Sequence, residues 1–128
     1  MSNNLAEWRE FMKSHLPERL NGMLADDAVF HSPVVHSPQR GRAIVATYLM
    51  AANKVFEDTG FQYVDEIVNA DGNAAMLEFT AEIDGIHING VDIIHWNADG
   101  KIEKFKVMVR PLKAINKIWD QMAAILQK

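Results

Sequence analysis

The chain has 128 residues, a formal net charge of -4 and no cysteine. That length suits a single domain, residues 1–128, with enough surface to bury a real core. The missing cysteines exclude a disulfide framework, a thiolate zinc site and a cysteine nucleophile, and the mild acidity argues against a nucleic-acid partner, which calls for a basic face.

The first segment, MSNNLAEWREFMK, carries charges every few residues and lacks the apolar core of a signal peptide. No long apolar run suggests a membrane span, so a cytoplasmic protein without a membrane partner is expected. Leu5, Trp8, Phe11 and Met12 fall at helical spacing and predict a helix over 5–15, capped by Asn3 or Asn4. Pro17 opens a second short helix carrying Leu20, Met23 and Leu24. Asp26 and Asp27 then stand at the expected helix end, where capping or a surface role outweighs paired-carboxylate chemistry. Ala28-Val29-Phe30 begins a strand.

His31 to Gly41 reads as a loop, with His-Ser-Pro at 31–33 and again at 36–38. Each proline removes a backbone donor and biases the serine before it to extended geometry. Arg42 to Phe56 predicts an amphipathic helix with Ile44, Val45, Tyr48, Leu49 and Ala52 inward, ended by Thr59-Gly60. Phe61 to Asn69 predicts a strand with Phe61, Tyr63, Asp65 and Ile67 on one face and Val64, Glu66 and Val68 on the other. After the turn Ala70-Asp71-Gly72-Asn73, the residues Ala75, Leu77, Phe79, Ala81 and Ile83 alternate with Met76, Glu78, Thr80, Glu82 and Asp84 as a half-buried strand. Asp84-Gly85 turns the chain back into Ile86-His87-Ile88-Asn89.

Gly90 to Arg110 predicts two antiparallel strands joined at Asn97-Ala98-Asp99-Gly100, where Gly100 supplies the positive φ of a tight turn. Alternation puts Asp92, Ile94 and Trp96 on one face of the first strand, and Phe105, Val107 and Val109 on one face of the second. Pairing those faces leaves a carboxylate among apolar side chains, which is costly unless it is paired, protonated or used. Arg110 is expected either to pair with Glu78 or Glu82 across the sheet or to rim a pocket. Pro111 breaks the last strand, and Leu112 to Gln127 predicts a final helix with Leu112, Ile115, Ile118, Trp119, Met122 and Leu126 on its apolar stripe. Helices first, then antiparallel strands, then one helix define an α+β domain with helices on one face of a curved sheet.

The ordered features Leu24-Ala25-Asp26-Asp27-Ala28-Val29-Phe30, Ser32-Pro33, the helix led by Gly41, and Val91-Asp92 through Gly100-Lys101-Ile102 resemble the nuclear transport factor 2-like superfamily. Within it they resemble the SnoaL-like proteins and ketosteroid isomerases. The resemblance covers the chain to Arg110 and implies the conical, cystatin-like form of the α+β class, with a C-terminal helix added. It places Asp92 where the isomerases hold an oxyanion-stabilising acid. It places Ser32 where they hold the general-base aspartate, and Trp8 where they hold a tyrosine. SnoaL-type cyclases use an acid near the end of the last strand, where this chain has Arg110.

The expected site is an apolar cone lined by Trp8, Met12, Phe30, Ser32, Tyr48, Phe79, Asp92, Ile94, Phe105 and Val107. Asp92 is the candidate acid, or else a structural carboxyl bonded to Trp8, Tyr48 or backbone. His31 is a candidate base if the strand register differs by one residue. His31, His36, His87 and His95 show no metal-ligand spacing, so neither a metal nor a cofactor is expected. The function expected is binding of a small hydrophobic molecule, carbonyl-bearing, in the cone. The alternative is an acid–base enzyme of the isomerase, cyclase or dehydratase kind using Asp92 as acid. A purely structural dimerisation module is a third class. A homodimer is expected through the outer sheet face, where Met76, Thr80, His95 and Lys106 lie.

Overall fold

The computed structural model describes residues 4–126. Asn3, an expected cap, and Gln127, the expected end of the last helix, lie outside the described residues. Helix α1 (Asn4–Ser14) buries Trp8 and Phe11 on one stripe and stops at His15, whose φ is 56°. Helix α2 (Pro17–Met23) starts on its proline, whose missing N–H would have had no helical partner there. Strand β1 (Leu24–His31) follows without a linker. Asp26 and Asp27 therefore lie inside a strand, not at a helix end. Both are exposed, and two successive exposed positions coincide with a break in register between Leu24 and Val29. Asp26 forms an ion pair with Arg42 at the start of the next helix.

Within the expected loop, Gln39–Arg40 forms a short strand, β2, antiparallel to Val29 and Phe30. Helix α3 (Arg42–Phe56) buries Val45, Leu49, Ala51 and Val55, while Ile44, expected inward, is exposed. Four strands complete the sheet: β3 (Gln62–Val68), β4 (Ala74–Ile83), β5 (Ile86–Trp96) and β6 (Ile102–Arg110). The order across the sheet is β2-β1-β6-β5-β4-β3. It is mixed where an antiparallel sheet was expected, because β1 lies parallel to β6. The hairpin β4–β5 closes through Asp84 and Gly85, both at positive φ (51° and 81°), the geometry that matches the twist of paired strands. The inner rows are as the alternation predicts: Ala75, Leu77, Phe79, Ala81 and Ile83 of β4 are buried, and so are Asp92, Ile94 and Trp96 of β5.

Helix α4 (Leu112–Leu126) buries Ala114, Ile118 and Met122 but leaves Leu112 70% and Trp119 48% exposed, so only part of its apolar stripe faces inward. The core forms two clusters, one beneath α1 and α2 around Trp8, Phe11 and Phe105, the other beneath α4 around Phe79, Ile88 and Ile118. Tyr48, Tyr63 and Val107 pack against both. Among the described residues, no helix is long and apolar enough to cross a membrane.

Candidate functional site

A cavity of about 640 Å³ opens between the two core clusters, bounded by α1, α3, α4 and the inner face of the sheet. Alternation along β6 turns Phe105, Val107 and Val109 into it, and the i, i+4 spacing of α1 and α4 adds Trp8 with Met12 and Ile118 with Met122. The exposed rim carries Lys13 and His15 from the end of α1 and Glu57 and Asp58 from the end of α3.

Asp92 projects from β5 into this apolar wall. It is the one buried charged side chain among the described residues, 7% exposed. The Tyr63 hydroxyl donates to Asp92 Oδ2 at 2.6 Å, and Trp8 Nε1 donates to the Tyr63 oxygen at 3.1 Å. The two bonds run in one direction: indole N–H to phenol oxygen, phenol O–H to carboxyl. Burial pushes the Asp92 carboxyl up from 3.8 to about 7, against the opposing pull of the Tyr63 hydrogen bond. Burial first, and then the neighbouring Asp92, hold the Tyr63 phenol well above its usual range. Among the described residues no ammonium or guanidinium bonds to Asp92, and its side-chain hydrogen bond comes from the neutral Tyr63 hydroxyl.

Of the expected lining residues, Trp8, Met12, Phe30, Ser32, Phe79, Asp92, Phe105 and Val107 all border the cavity. Tyr48 and Ile94 do not. The Tyr48 ring packs on Phe30 at a centroid distance of 5.8 Å, and Ile94 is sealed in the first core cluster. The partner of Asp92 is Tyr63, not Trp8 or Tyr48; Trp8 acts one bond further out.

The candidate base His31 is not in the cavity. Its neighbour Phe30 pairs with inward-facing Phe105, so His31, opposite Lys106, falls on the outer face. There burial, then Lys106, Lys104 and Arg40, lower its pKa. His95 is also on the outer face, and its buried Nδ1 has no hydrogen-bond partner among the described residues. His87 pairs with Glu82 at 3.3 Å. Among the described residues, no group of three His, Asp or Glu side chains converges as a metal site. Among the described residues, Arg110 neither pairs directly with a carboxylate nor borders this cavity. Its Nε donates to Asn89 Oδ1 at 2.8 Å, and Asn89 Nδ2 donates to Glu78 Oε2 at 2.9 Å.

Tyr63 is the functional side chain that strand periodicity alone does not single out. The register of β3 against β4 shifts between Tyr63 and Asp65: Tyr63 sits opposite Phe79, but Asp65 sits opposite Glu78. The extra residue, Val64, breaks the alternation. Tyr63 keeps the inner face with Phe79, while Asp65 and Ile67 turn out and Glu66 comes level with Leu77. Glu66 then meets Arg9 of α1 as an ion pair.

A helix-backed curved sheet enclosing an apolar cavity, with a single buried acid among the described residues, defines a fold of the conical α+β class. A family model of the SnoaL-like domain matches residues 5–105, and the chain belongs to that family. It is similar to a steroid delta-isomerase from Pseudomonas aeruginosa, with 35% identity, 97% of this chain and 89% of that chain covered, and a TM-score of 0.90. It is similar to an uncharacterised protein with a cystatin-like fold from Silicibacter pomeroyi DSS-3, with 28% identity, coverage of 100% and 88%, and a TM-score of 0.89. An NTF2-like protein of unknown function from Mesorhizobium loti shares the fold at 19% identity, coverage of 85% and 89%, and a TM-score of 0.72. No curated protein sequence matches the chain.

Proposed function

We propose that the chain binds an apolar, carbonyl-bearing small molecule in the cavity, with the protonated Asp92 carboxyl donating a hydrogen bond to the carbonyl oxygen. The observation that carries this is Asp92 itself: a carboxyl in an apolar wall, bonded among the described side chains by the neutral Tyr63 hydroxyl, with a pKa pushed up to about 7. A neutral acid of this kind is a hydrogen-bond donor, and it draws charge from the carbonyl it bonds. Tyr63 occupies Oδ2 and thereby favours the proton on Oδ1. The apolar walls supply affinity and the acid supplies orientation, the usual division in small-molecule sites.

A second function is favoured by the likeness to the Pseudomonas aeruginosa steroid delta-isomerase. Isomerisation moves a proton between carbons beside the carbonyl, so it needs a base as well as the acid. Ser32, at the position that the family resemblance gives to the base, borders the cavity, and its Oγ accepts from the Val34 N–H at 3.1 Å. A serine hydroxyl does not abstract such a proton at neutral pH. Binding therefore ranks first, and turnover of a β,γ-unsaturated 3-keto steroid, followed by ultraviolet absorbance, is expected to be absent or feeble. Rapid turnover would establish the enzyme instead.

Calorimetry with a neutral 3-keto steroid tests the binding function. The ligand does not titrate, so its affinity follows the protonated fraction of Asp92. At pH 8.5 that fraction is about 3%, and binding should be about thirtyfold weaker than at pH 5.5. Asp92→Leu should lose the affinity at both pH values, and Asp92→Asn, which keeps a donor, should retain much of it at both. Equal wild-type affinity at the two pH values would overturn the proposal.

A further inference from the structure

The inner row of β5 reads Ile88, Gly90, Asp92, Ile94, Trp96, and Gly90 is the one position in it without a side chain. Its backbone does not call for glycine, since Gly90 is not among the residues with positive φ. Space does. A Cβ built on Gly90 would stand 2.4 Å from Phe79 Cζ, 2.8 Å from Phe79 Cε2 and 2.8 Å from the Met108 carbonyl oxygen. Phe79 lies directly across the β4–β5 pair from Gly90, so its ring covers the glycine from the neighbouring strand. The same ring is 1% exposed and borders the cavity, two pairs along from Asp92 and on the same face. It rests against Phe61 at 4.9 Å and Phe56 at 5.5 Å, two more cavity residues.

We infer that Gly90 is a specificity-determining residue: by letting the Phe79 ring sit close over position 90 it sets the depth of the cavity beside Asp92, and so the size of apolar ligand accepted there. A side chain at position 90 has no room on the sheet side, where the Met108 carbonyl is fixed backbone. It must drive the Phe79 ring away from the sheet, toward Phe56, Phe61 and the cavity space they share. Glycine here selects ligands with bulk near the carbonyl group. Phe79 is the other half of the device, because shortening it deepens the same space.

This inference rests on the carbonyl-binding function proposed above, and the experiment separates the two. Dissociation constants are measured for a single-ring enone and a four-ring 3-keto steroid on wild type, Gly90→Ala, Phe79→Leu and the double variant. Leucine has no Cε or Cζ, so it removes both side-chain clashes though not the Met108 carbonyl contact, and Phe79→Leu alone, which keeps glycine at position 90, is the folded background if Gly90→Ala is unstable. Gly90→Ala should shift the preference toward the small enone, and Phe79→Leu toward the steroid, each by roughly tenfold. The double variant should fall between them. Xenon binding, followed by NMR, reports the cavity without any carbonyl. It should weaken in Gly90→Ala relative to wild type and recover in the double variant. If neither ketone binds wild type but xenon responds in this way, the depth role of Gly90 stands and the carbonyl function falls. An unchanged ketone preference in Phe79→Leu and the double variant, or a xenon response identical in all four proteins, would overturn the inference.

Discussion

The two faces of the sheet handle polar groups in opposite ways. On the outer face, Arg110, Asn89 and Glu78 form a hydrogen-bonded row in which the cation and the carboxylate are bridged by an amide. His31 and His95 stand among Lys104 and Lys106, with burial and these lysines lowering their pKa values. On the inner face the one buried carboxyl among the described residues, Asp92, has a phenol and, behind it, an indole. The outer face holds more titratable groups, yet it is the inner acid that is moved into the physiological range. Density of charge does not mark this site; a buried acid with no counterion among the described residues does.

The largest expected effect comes from removing the inner charge. For a carboxyl, the unfolded chain loses its proton near pH 4, while the folded protein keeps it until about pH 7. The folded state therefore holds the extra proton between those values. Stability falls as pH rises from about 4 to about 7 and stays low above it. The rise from 3.8 to about 7 corresponds to about 4 kcal/mol at high pH. Asp92→Asn should flatten this slope and be more stable than wild type at pH 8.5, as read by urea denaturation at the two pH extremes. A wild-type slope of the opposite sign would refute the assignment.

Tyr63→Phe should have the next largest effect. It removes the one hydrogen bond that lowers the Asp92 pKa, so the carboxyl should titrate still higher. It also leaves the Trp8 indole N–H without its acceptor, a loss of about 1–3 kcal/mol. A variant of unchanged stability in which Asp92 titrates lower would separate Tyr63 from the site.

On the outer face the exposed apolar residues Ile67 (67%), Met108 (53%) and Met76 (41%) surround the polar row. We propose that this face pairs two copies of the chain, with charged and apolar groups mixed as in other polar interfaces. Met108→Glu should then weaken dimerisation by roughly tenfold, about 1.4 kcal/mol, in sedimentation equilibrium. A wild type that stays monomeric at high micromolar concentration would remove the proposal. Smallest of all is the Arg9–Glu66 ion pair, in which both side chains are about two-fifths exposed. Glu66→Gln should cost under about 1 kcal/mol. A larger loss would show that α1 is anchored to β3 by charge and not by the packing of Trp8 and Phe11.

The inner face was largely legible in the sequence, because strict alternation in β4, in β5 and from Phe105 onward in β6 fixes which side chains share a face. That is how Asp92 stood out among Ile94, Trp96, Phe105 and Val107. Two kinds of information were hidden. Register irregularities, of one residue at Val64 in β3 and of three between Leu24 and Val29 in β1, cannot be read from a period of two, and the first of these is what separates Tyr63 from Asp65. Partners brought together by the cone, such as Tyr63 with Asp92 across 29 residues and Trp8 with Tyr63 across 55, leave no local signature. The same holds for His31: its residue type suggested a base, but β1 lies beside β6 in a register that turns it out. The parallel β1–β6 pairing is likewise invisible locally, since it joins the first and last strands of the chain.

The most direct test is carbon-13 NMR of the Asp92 carboxyl across a pH titration of the ligand-free protein. A midpoint near 7, with the line following a neutral acid below it, is the expected result. A midpoint near the ordinary carboxyl value of about 4 would mean that water or a cation reaches Asp92. The neutral donor in the apolar wall, and the carbonyl-binding function built on it, would then be contradicted.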